Sequence, residues 1–228
     1  MTRAESKSRS KKVRIEPQLR ADFKPRTEGQ AEYLRILTDN DVTVVTGCAG
    51  TGKSYIAMGL ACQYLLEGRY DFLVIARPNV QAADDMGFLP GDIMDKFDPY
   101  VEQAIKNMKR FLGPQTYDKF IADGIIQFKP LGFMRGTDYD NSFMILEEAQ
   151  NCTEKQLTMF VTRIGSNSKI LINGDIEQDD LNGHSGLERV IAKMNNAGPP
   201  VGFGTAHLTE ADVQRNPLIR TWLRMMKE

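Results

Sequence analysis

The chain has 228 residues, 41% of them hydrophobic and 26% charged, with a formal net charge of −1. That length can bury a core without staples, that balance excludes collagen-like and wholly disordered classes, and that charge sets up no overall field toward a polyanion. Three cysteines with no CxxC pair exclude a disulfide scaffold and a thiolate zinc site, no apolar run approaches the ~20 residues of a membrane span, and no apolar signal segment opens the chain, so the expectation is a reduced, cytoplasmic protein with no membrane partner.

In chain order, residues 1–20 carry seven basic and two acidic residues, a charge of +5 that leaves −6 for the remainder. With few apolar residues they read as a flexible basic arm, able to touch phosphate backbones or simply a solvated tail, ahead of a single domain over 21–228. Residues 29–38 show a helical stripe of Tyr33, Leu34, Ile36 and Leu37, and 42–45 form a β-branched strand running into glycines. A helix is expected over 53–66, a bare apolar strand over 72–76, and a helix over 99–112. Between the last two, 78–98 is the longest irregular stretch, and long loops in compact domains are usually functional. Strands follow at 125–128, 143–146, 169–172 and, more weakly, 201–208, with helices at 154–164, 187–194 and 217–226. Short apolar strands without alternation, separated by helices, predict an α/β fold: a mostly parallel sheet with helices on both faces and its chemistry beyond the carboxyl ends of the strands.

The strongest signal follows the first strand. Gly47, Cys48, Ala49, Gly50, Thr51, Gly52, Lys53 and Ser54 fit GxxxxGK[ST] between a predicted strand and a predicted helix. Glycines let successive N–H groups turn inward around phosphates, the helix N-terminus adds its dipole, Lys53 neutralises the outer phosphates, and Ser54 offers a hydroxyl to Mg²⁺. The plain alternative is a glycine-rich turn with a surface lysine. Cys62 and Cys152 read as small buried residues, and modification of Cys48 would obstruct the loop.

A second signal is the run from Phe143 to Leu146 followed by Glu147 and Glu148. A buried strand that ends in two acids is a Walker B arrangement: the first acid holds Mg²⁺, and the second orients and deprotonates the attacking water. Alone, the pair reads equally as two solvated acids. Downstream, Asn173, Gly174, Asp175, Ile176, Glu177 and Gln178 follow the next strand, as γ-phosphate sensors or as a Gly-Asp turn. His184 and His207 are too few and too scattered for a metal site.

Taken together, GCAGTGKS (47–54), ARPNV (76–80), GFLPGDIMDKFDPY (87–100), PLGFMRG (130–136), ILEEAQN (145–151), NGDIEQDDL (173–181) and DVQRNPLI (212–219) resemble the PhoH family of phosphate-starvation-associated P-loop ATPases. ILEEAQ and GDxxQ also resemble motifs of superfamily 1 helicases. The resemblance implies a RecA-like core, ATP and Mg²⁺ as ligands, and action on RNA or single-stranded nucleic acid. It makes Gly47–Ser54 the phosphate site, Glu147 and Glu148 the acid pair, and Gln178 the third-motif glutamine. Gln30 matches an upstream glutamine that reads adenine, with a solvated helix residue as the equal alternative. Two positions depart from the family pattern: Glu147 stands where the family has Asp, which puts metal geometry in question, and Cys48 where it has Pro.

A single core lacks the second lobe that helicases close over nucleotide, so the resemblance implies an oligomer, such as a ring, with an arginine supplied in trans. Arg77, Arg135, Arg163 and Arg215 are the candidates, with Arg215 preferred. The catalytic set is then Glu148, Gln178 and Arg215, and the metal ligands are Ser54 and Glu147. The reading is a Mg²⁺-dependent ATPase; the alternatives are a nucleotide-controlled binding module with little turnover and, against the tandem acids, a P-loop kinase.

Overall fold

The computed structural model describes residues 18–78, 93–178, 180–181, 185–214 and 225. Its strands are β1 (Val42–Gly47), β2 (Phe72–Arg77), β3 (Ile126–Pro130), β4 (Ser142–Leu146), β5 (Lys169–Gly174) and β6 (Phe203–Leu208). They form one sheet in the order β3-β2-β4-β5-β1-β6. Every pairing is parallel, with Val42 opposite both Ile170 and Phe203, and Arg77 opposite Pro130. The described helices are α1 (Glu28–Asp39), α2 (Lys53–Leu66), α3 (Ile93–Leu112), α4 (Pro114–Ala122), α5 (Glu154–Val161) and α6 (Gly186–Ala197).

Chain order and handedness together fix the layers. Parallel crossovers are right-handed, so connections stepping toward β3 put their helices on one face and connections stepping toward β6 put theirs on the other. The core divides accordingly. Val45, Leu73, Ile75, Phe143, Ile145 and Leu171 pack with side chains of α1–α4. Val44, Val74, Met144, Leu146, Ile170 and Ile172 pack with Leu157 and Phe160 of α5 and Leu187 and Met194 of α6. Alternate residues of each strand thus face opposite helical layers, and the bare apolar strands of the sequence follow from burial on both faces.

Local chemistry sets the element ends. Thr27 caps α1 by accepting from the Gln30 amide at 3.1 Å, and the buried Lys169 ammonium donates to the Leu37 carbonyl at 2.9 Å and to Asn40 beyond the helix C-terminus. Thr153 and Gln156 form a capping box on α5. Several boundaries differ from the sequence reading. Helix α3 begins at Ile93, inside the stretch expected to be irregular, while 79–92 lie outside the described residues. Gly113, at φ 79°, follows the end of α3 at Leu112, where the sequence reading also ended its helix, and Pro114 restarts the chain as α4, a helix the sequence reading did not include. Helix α5 stops at Val161 because the Arg163 carbonyl turns to accept from Tyr139 at 3.0 Å. Strand β6 starts at Phe203 because the Gly202 carbonyl accepts from Asp41 and Val42. The expected closing helix over 217–226 lies outside the described residues apart from Met225, as do residues 1–17 of the arm expected over 1–20, whose last three residues are described. Within 18–23, Leu19, Ala21 and Phe23 pack against the α1–α4 layer, and the Arg20 amide donates to the Phe111 carbonyl at 2.7 Å.

Candidate functional site

The carboxyl ends of β1, β4 and β5 converge on a cleft of about 400 Å³, within the range of small-ligand sites. The turns that leave these strands form most of its walls, and Tyr55 of α2 with Gln103 and Asn107 of α3 complete them. After β1 the chain bends through Gly47 (φ 151°) and Gly52 (φ 90°). A Cβ on Gly47 would stand 2.4 Å from the Leu208 carbonyl oxygen, so glycine is required there by space as well as by conformation. Gly52 is the N-cap of α2 and no side chain caps that helix, so its first N–H groups face the cleft as an anion site.

Lys53 folds back on the loop and donates to the Gly47 carbonyl at 2.5 Å and to the Cys48 carbonyl at 3.1 Å. Burial lowers its pKa, while Asp175 and Glu147 pull the other way. Thr51 is fully buried and ties its hydroxyl to the Cys48 carbonyl at 2.9 Å. The Cys48 thiol is held above its ordinary pKa by burial and by Asp175, and is therefore a poor nucleophile.

Strand β5 lies between the cradle strand β1 and the acid strand β4, so the acids stand two strand spacings, ~10 Å, from β1. Glu147 bridges the gap: its Oε2 accepts from the Ser54 hydroxyl at 2.9 Å and from the Asn173 amide at 2.7 Å. Asn173 also donates to the Ser54 Oγ at 3.0 Å, which closes a triangle. The other oxygen, Glu147 Oε1, is enclosed and has no hydrogen-bond partner. Burial raises the Glu147 pKa to about 7; the Ser54 hydrogen bond opposes this and Glu148 reinforces it.

This geometry fits Mg²⁺. A small octahedral ion with ligands at ~2.1 Å holds adjacent oxygens ~2.9 Å apart and keeps most of its waters. Ser54 Oγ and Glu147 Oε2 already have the 2.9 Å spacing, and the orphaned Oε1 is a buried acceptor with unused lone pairs. The longer carboxylate of Glu147 is thus what carries its oxygen across the width of β5. No larger cluster of His, Cys, Asp and Glu suited to a metal occurs among the described residues.

Glu148 occupies the left-handed region, at φ 56° and ψ 41°, a conformation that costs a non-glycine residue energy. Its Oε1 lies 3.3 Å from Arg77 Nη2, and its Oε2 accepts from the Gln150 side chain at 2.6 Å. The buried Gln150 also accepts from the Asp175 amide at 3.0 Å, joining the ends of β4 and β5. Gln178 lines the cleft and donates to Asp175 Oδ2 at 3.0 Å. Asp175 is raised above its ordinary pKa by burial, with Lys53 opposing.

Gln30 stands behind the loop: its amide donates to the Thr51 carbonyl at 2.8 Å and its oxygen accepts from the Arg26 amide at 2.8 Å. Both ends of the side chain are therefore engaged by backbone. Asp212 braces the same region, accepting from the Thr27 hydroxyl at 2.5 Å and the Thr209 amide at 2.8 Å, and the Gln214 amide donates to the Gly50 carbonyl at 2.9 Å. Of the arginines considered as fingers, Arg77 faces Glu148, Arg163 pairs with Asp138 at 3.3 Å, Arg135 is exposed, and Arg215 lies outside the described residues. His207 contacts the Thr46 hydroxyl at 2.8 Å, and His184 is outside the described residues.

Sequence reasoning missed Gln150 as a site residue and gave Asn173 no specific role, although both lie in runs it singled out. It also missed Tyr55 of α2, next to Ser54, and Gln103 and Asn107 of α3 on the cleft wall; the last two carry no motif signal because tertiary packing alone brings α3 there.

A family model described as PhoH-like protein matches residues 22–227. A PhoH-like protein of Bacillus subtilis is 39% identical over 196 residues, 85% of this chain and 60% of that one. A PhoH-like protein of Synechocystis sp. is 38% identical over 197 residues, 86% of this chain and 59% of that one. The chain therefore spans about 60% of the length of these relatives. Among solved structures, the large terminase of a thermophilic bacteriophage superposes with a TM-score of 0.57 at 10% identity, covering 90% of this chain and 51% of that one, a likeness of fold. The sheet order and the strand–loop–helix cradle make the architecture an α/β RecA-like core of P-loop NTPase type.

Proposed function

Because the chain belongs to the PhoH-like protein family, we propose that it is a cytoplasmic Mg²⁺-dependent ATPase acting on RNA or single-stranded nucleic acid as an oligomer. One observation carries the hydrolase reading: Ser54 Oγ and Glu147 Oε2 meet at 2.9 Å beside an orphaned carboxylate oxygen, directly below the uncapped N-terminus of α2. Phosphates have N–H donors and Lys53 in this arrangement, and a divalent ion has Ser54 and Glu147. Bound Mg²⁺ would offset phosphate charge. Glu148 is the base that accepts the water proton, and the chain Gln178–Asp175–Gln150 connects its surroundings to the end of β5. Among the described residues no side chain of the cleft is placed to select adenine, and membership of the family is what supports ATP. Support for nucleic acid is the arginine-bearing turn after β3, with Phe133 62% exposed beside the exposed Arg135. Oligomerisation rests on the need for a cation in trans, with Arg215 the proposed finger.

One feature favours a second reading, a nucleotide-controlled binding module with slow turnover: both oxygens of Glu148 are engaged, by Arg77 and Gln150. Phosphate release from Mg·ATP, with and without single-stranded RNA or DNA, separates the two. A hydrolase releases phosphate faster with nucleic acid and loses 10²–10⁴-fold in Glu148→Gln, the usual scale for a general base. A flat, low rate that Glu148→Gln leaves unchanged, with ATP still bound, refutes the hydrolase reading and favours the module.

A further inference from the structure

We propose that Gln150 is a positioning residue that fixes the Glu148 carboxylate in the cleft wall and registers it against the turn after β5. The inference rests on the hydrolase reading above and names the side chain that aligns its base.

Glu148 needs such a partner. It lines the cleft, its side chain is 41% exposed, and its backbone at φ 56° and ψ 41° lies in the left-handed region, which a glutamate keeps only under constraint. Packing alone therefore does not set where its oxygens point. Gln150 stands two residues on, in the 3₁₀ turn Ala149–Asn151, and its Nε2 donates to Glu148 Oε2 at 2.6 Å. The Gln150 amide is itself held. It is 1% exposed, and its Oε1 accepts from the Asp175 backbone N–H at 3.0 Å. Turning the amide over would set its NH₂ against that N–H and its carbonyl against a carboxylate, so the network allows one orientation. Gly174 lets β5 pass this close, since a Cβ there would stand 3.1 Å from Gln150 Oε1. Each carboxylate oxygen has two lone-pair sites, so the bond orients Glu148 and leaves it capacity to accept from a water.

The Asp175 end carries the link to the nucleotide. Asp175 Oδ1 accepts from the Glu177 amide at 3.1 Å, and its Oδ2 accepts from the Gln178 side chain at 3.0 Å. Asp175 and Gln178 both line the cleft, so the turn that faces the ligand and the N–H that Gln150 reads are one hydrogen-bonded unit. A terminal phosphate seated against this turn would then align Glu148 through one buried side chain, across 25 positions of sequence.

The test is a double-mutant cycle on the full chain. Single-turnover phosphate release and Mg·ATP affinity by isothermal titration are measured for wild type, Gln150→Met, Gln150→Glu, Glu148→Gln and Gln150→Met/Glu148→Gln, each checked for a cooperative thermal transition. Gln150→Met loses both bonds at similar volume; Gln150→Glu keeps an acceptor for the Asp175 N–H and loses the donor to Glu148. Both should bind Mg·ATP as the wild type does, because the Gln150 bonds go to Glu148 and Asp175 and not to Lys53, Ser54 or Glu147. Both should slow phosphate release by up to about 10²-fold, the scale of a misplacement of about 1 Å. In the Glu148→Gln background Gln150→Met should cost nothing further, because the group it positions is gone. An equal loss in both backgrounds, or a wild-type rate in either folded Gln150 variant, overturns the positioning role while the hydrolase reading stands. If one of the two Gln150 variants does not fold, the other decides. No phosphate release by the wild type, with ATP still bound, overturns the hydrolase reading and the positioning role with it.

Discussion

Glu147 is the residue whose perturbation reads most directly on the site, and Glu147→Gln isolates its charge. In the folded chain burial raises this carboxyl from 4.5 to about 7. Because the folded value lies above the unfolded one, the folded protein holds the proton more tightly, and the contribution to stability is complete below pH ~4.5 and lost as pH rises through 7. The gap between the two values corresponds to about 3 kcal/mol of metal-free stability lost at high pH. The Gln amide keeps one oxygen for Ser54 and Asn173 and carries no charge, so Glu147→Gln should remove that loss. Denaturant unfolding in chelator, from pH 5 to 8.5, provides the assay, and the difference between wild type and variant cancels the contribution of Asp175. The variant should be more stable by about 3 kcal/mol at pH 8.5, with the difference falling below about 1 kcal/mol by pH 5. Mg²⁺ must displace the same proton, so wild-type Mg²⁺ affinity should rise up to tenfold per pH unit below about 7 and level off above it. A flat difference curve, or undiminished Mg²⁺ binding by Glu147→Gln, would refute the assignment of the buried charge and of the metal ligand together.

Lys53→Ala should fold and lose nucleotide binding, since the loop keeps its N–H donors and loses its side-chain cation; isothermal titration with Mg·ATP checks this, and unchanged affinity would contradict the cradle. Gly47→Ala forces a Cβ to within 2.4 Å of the Leu208 carbonyl oxygen and should cost about 1–3 kcal/mol, seen as a lower Tm; a wild-type Tm would show that β1 and β6 can separate. Specific activity should rise with protein concentration, and a mixture of Lys53→Ala and Arg215→Ala subunits should recover activity that neither has alone; concentration-independent turnover by a monomer would exclude the arginine in trans.

The layers were legible because the four inner strands, β2, β4, β5 and β1, are buried on both faces. A run such as Phe143 to Leu146 has no polar face to confuse it with an amphipathic helix, and right-handed crossovers then leave few ways to order the strands. The cradle was legible because its glycines answer to the backbone: Gly47 and Gly52 adopt positive φ. What the sequence could not convey was partnership. Glu147 meets Ser54 across 93 positions and Asn173 across 26, distances no local pattern encodes. The same limit applies to Gln30, whose amide is chemically suited to an adenine edge and here is spent on Arg26 and Thr51. The helix ending at Leu112 was legible, and the separate helix Pro114–Ala122 beyond Gly113 was not.

The insertion of β5 between cradle and acids has a consequence beyond spacing. It obliges three strand ends to meet through side chains, and the sequence supplies one polar bridge per gap: Asn173 between Ser54 and Glu147, and Gln150 between Glu148 and Asp175. Each bridge is an amide, able to donate at one end and accept at the other, and none carries a charge of its own. The charges at the site are thereby left for chemistry, while neutral groups set the geometry. A shift of β4 against β5 would break the Gln150 bridge and move both acids relative to Ser54 at once, so the proposed metal ligand and the proposed base are mechanically tied. The Asp212 bonds to Thr27 and Thr209, and Gln214 on the Gly50 carbonyl, tie the opposite side of the cradle to the segment leading into Arg215. A nucleotide that reshapes the loop therefore pulls on the acids through β5 and on the approach to the proposed finger through β6, the linkage that an ATPase working by assembly requires.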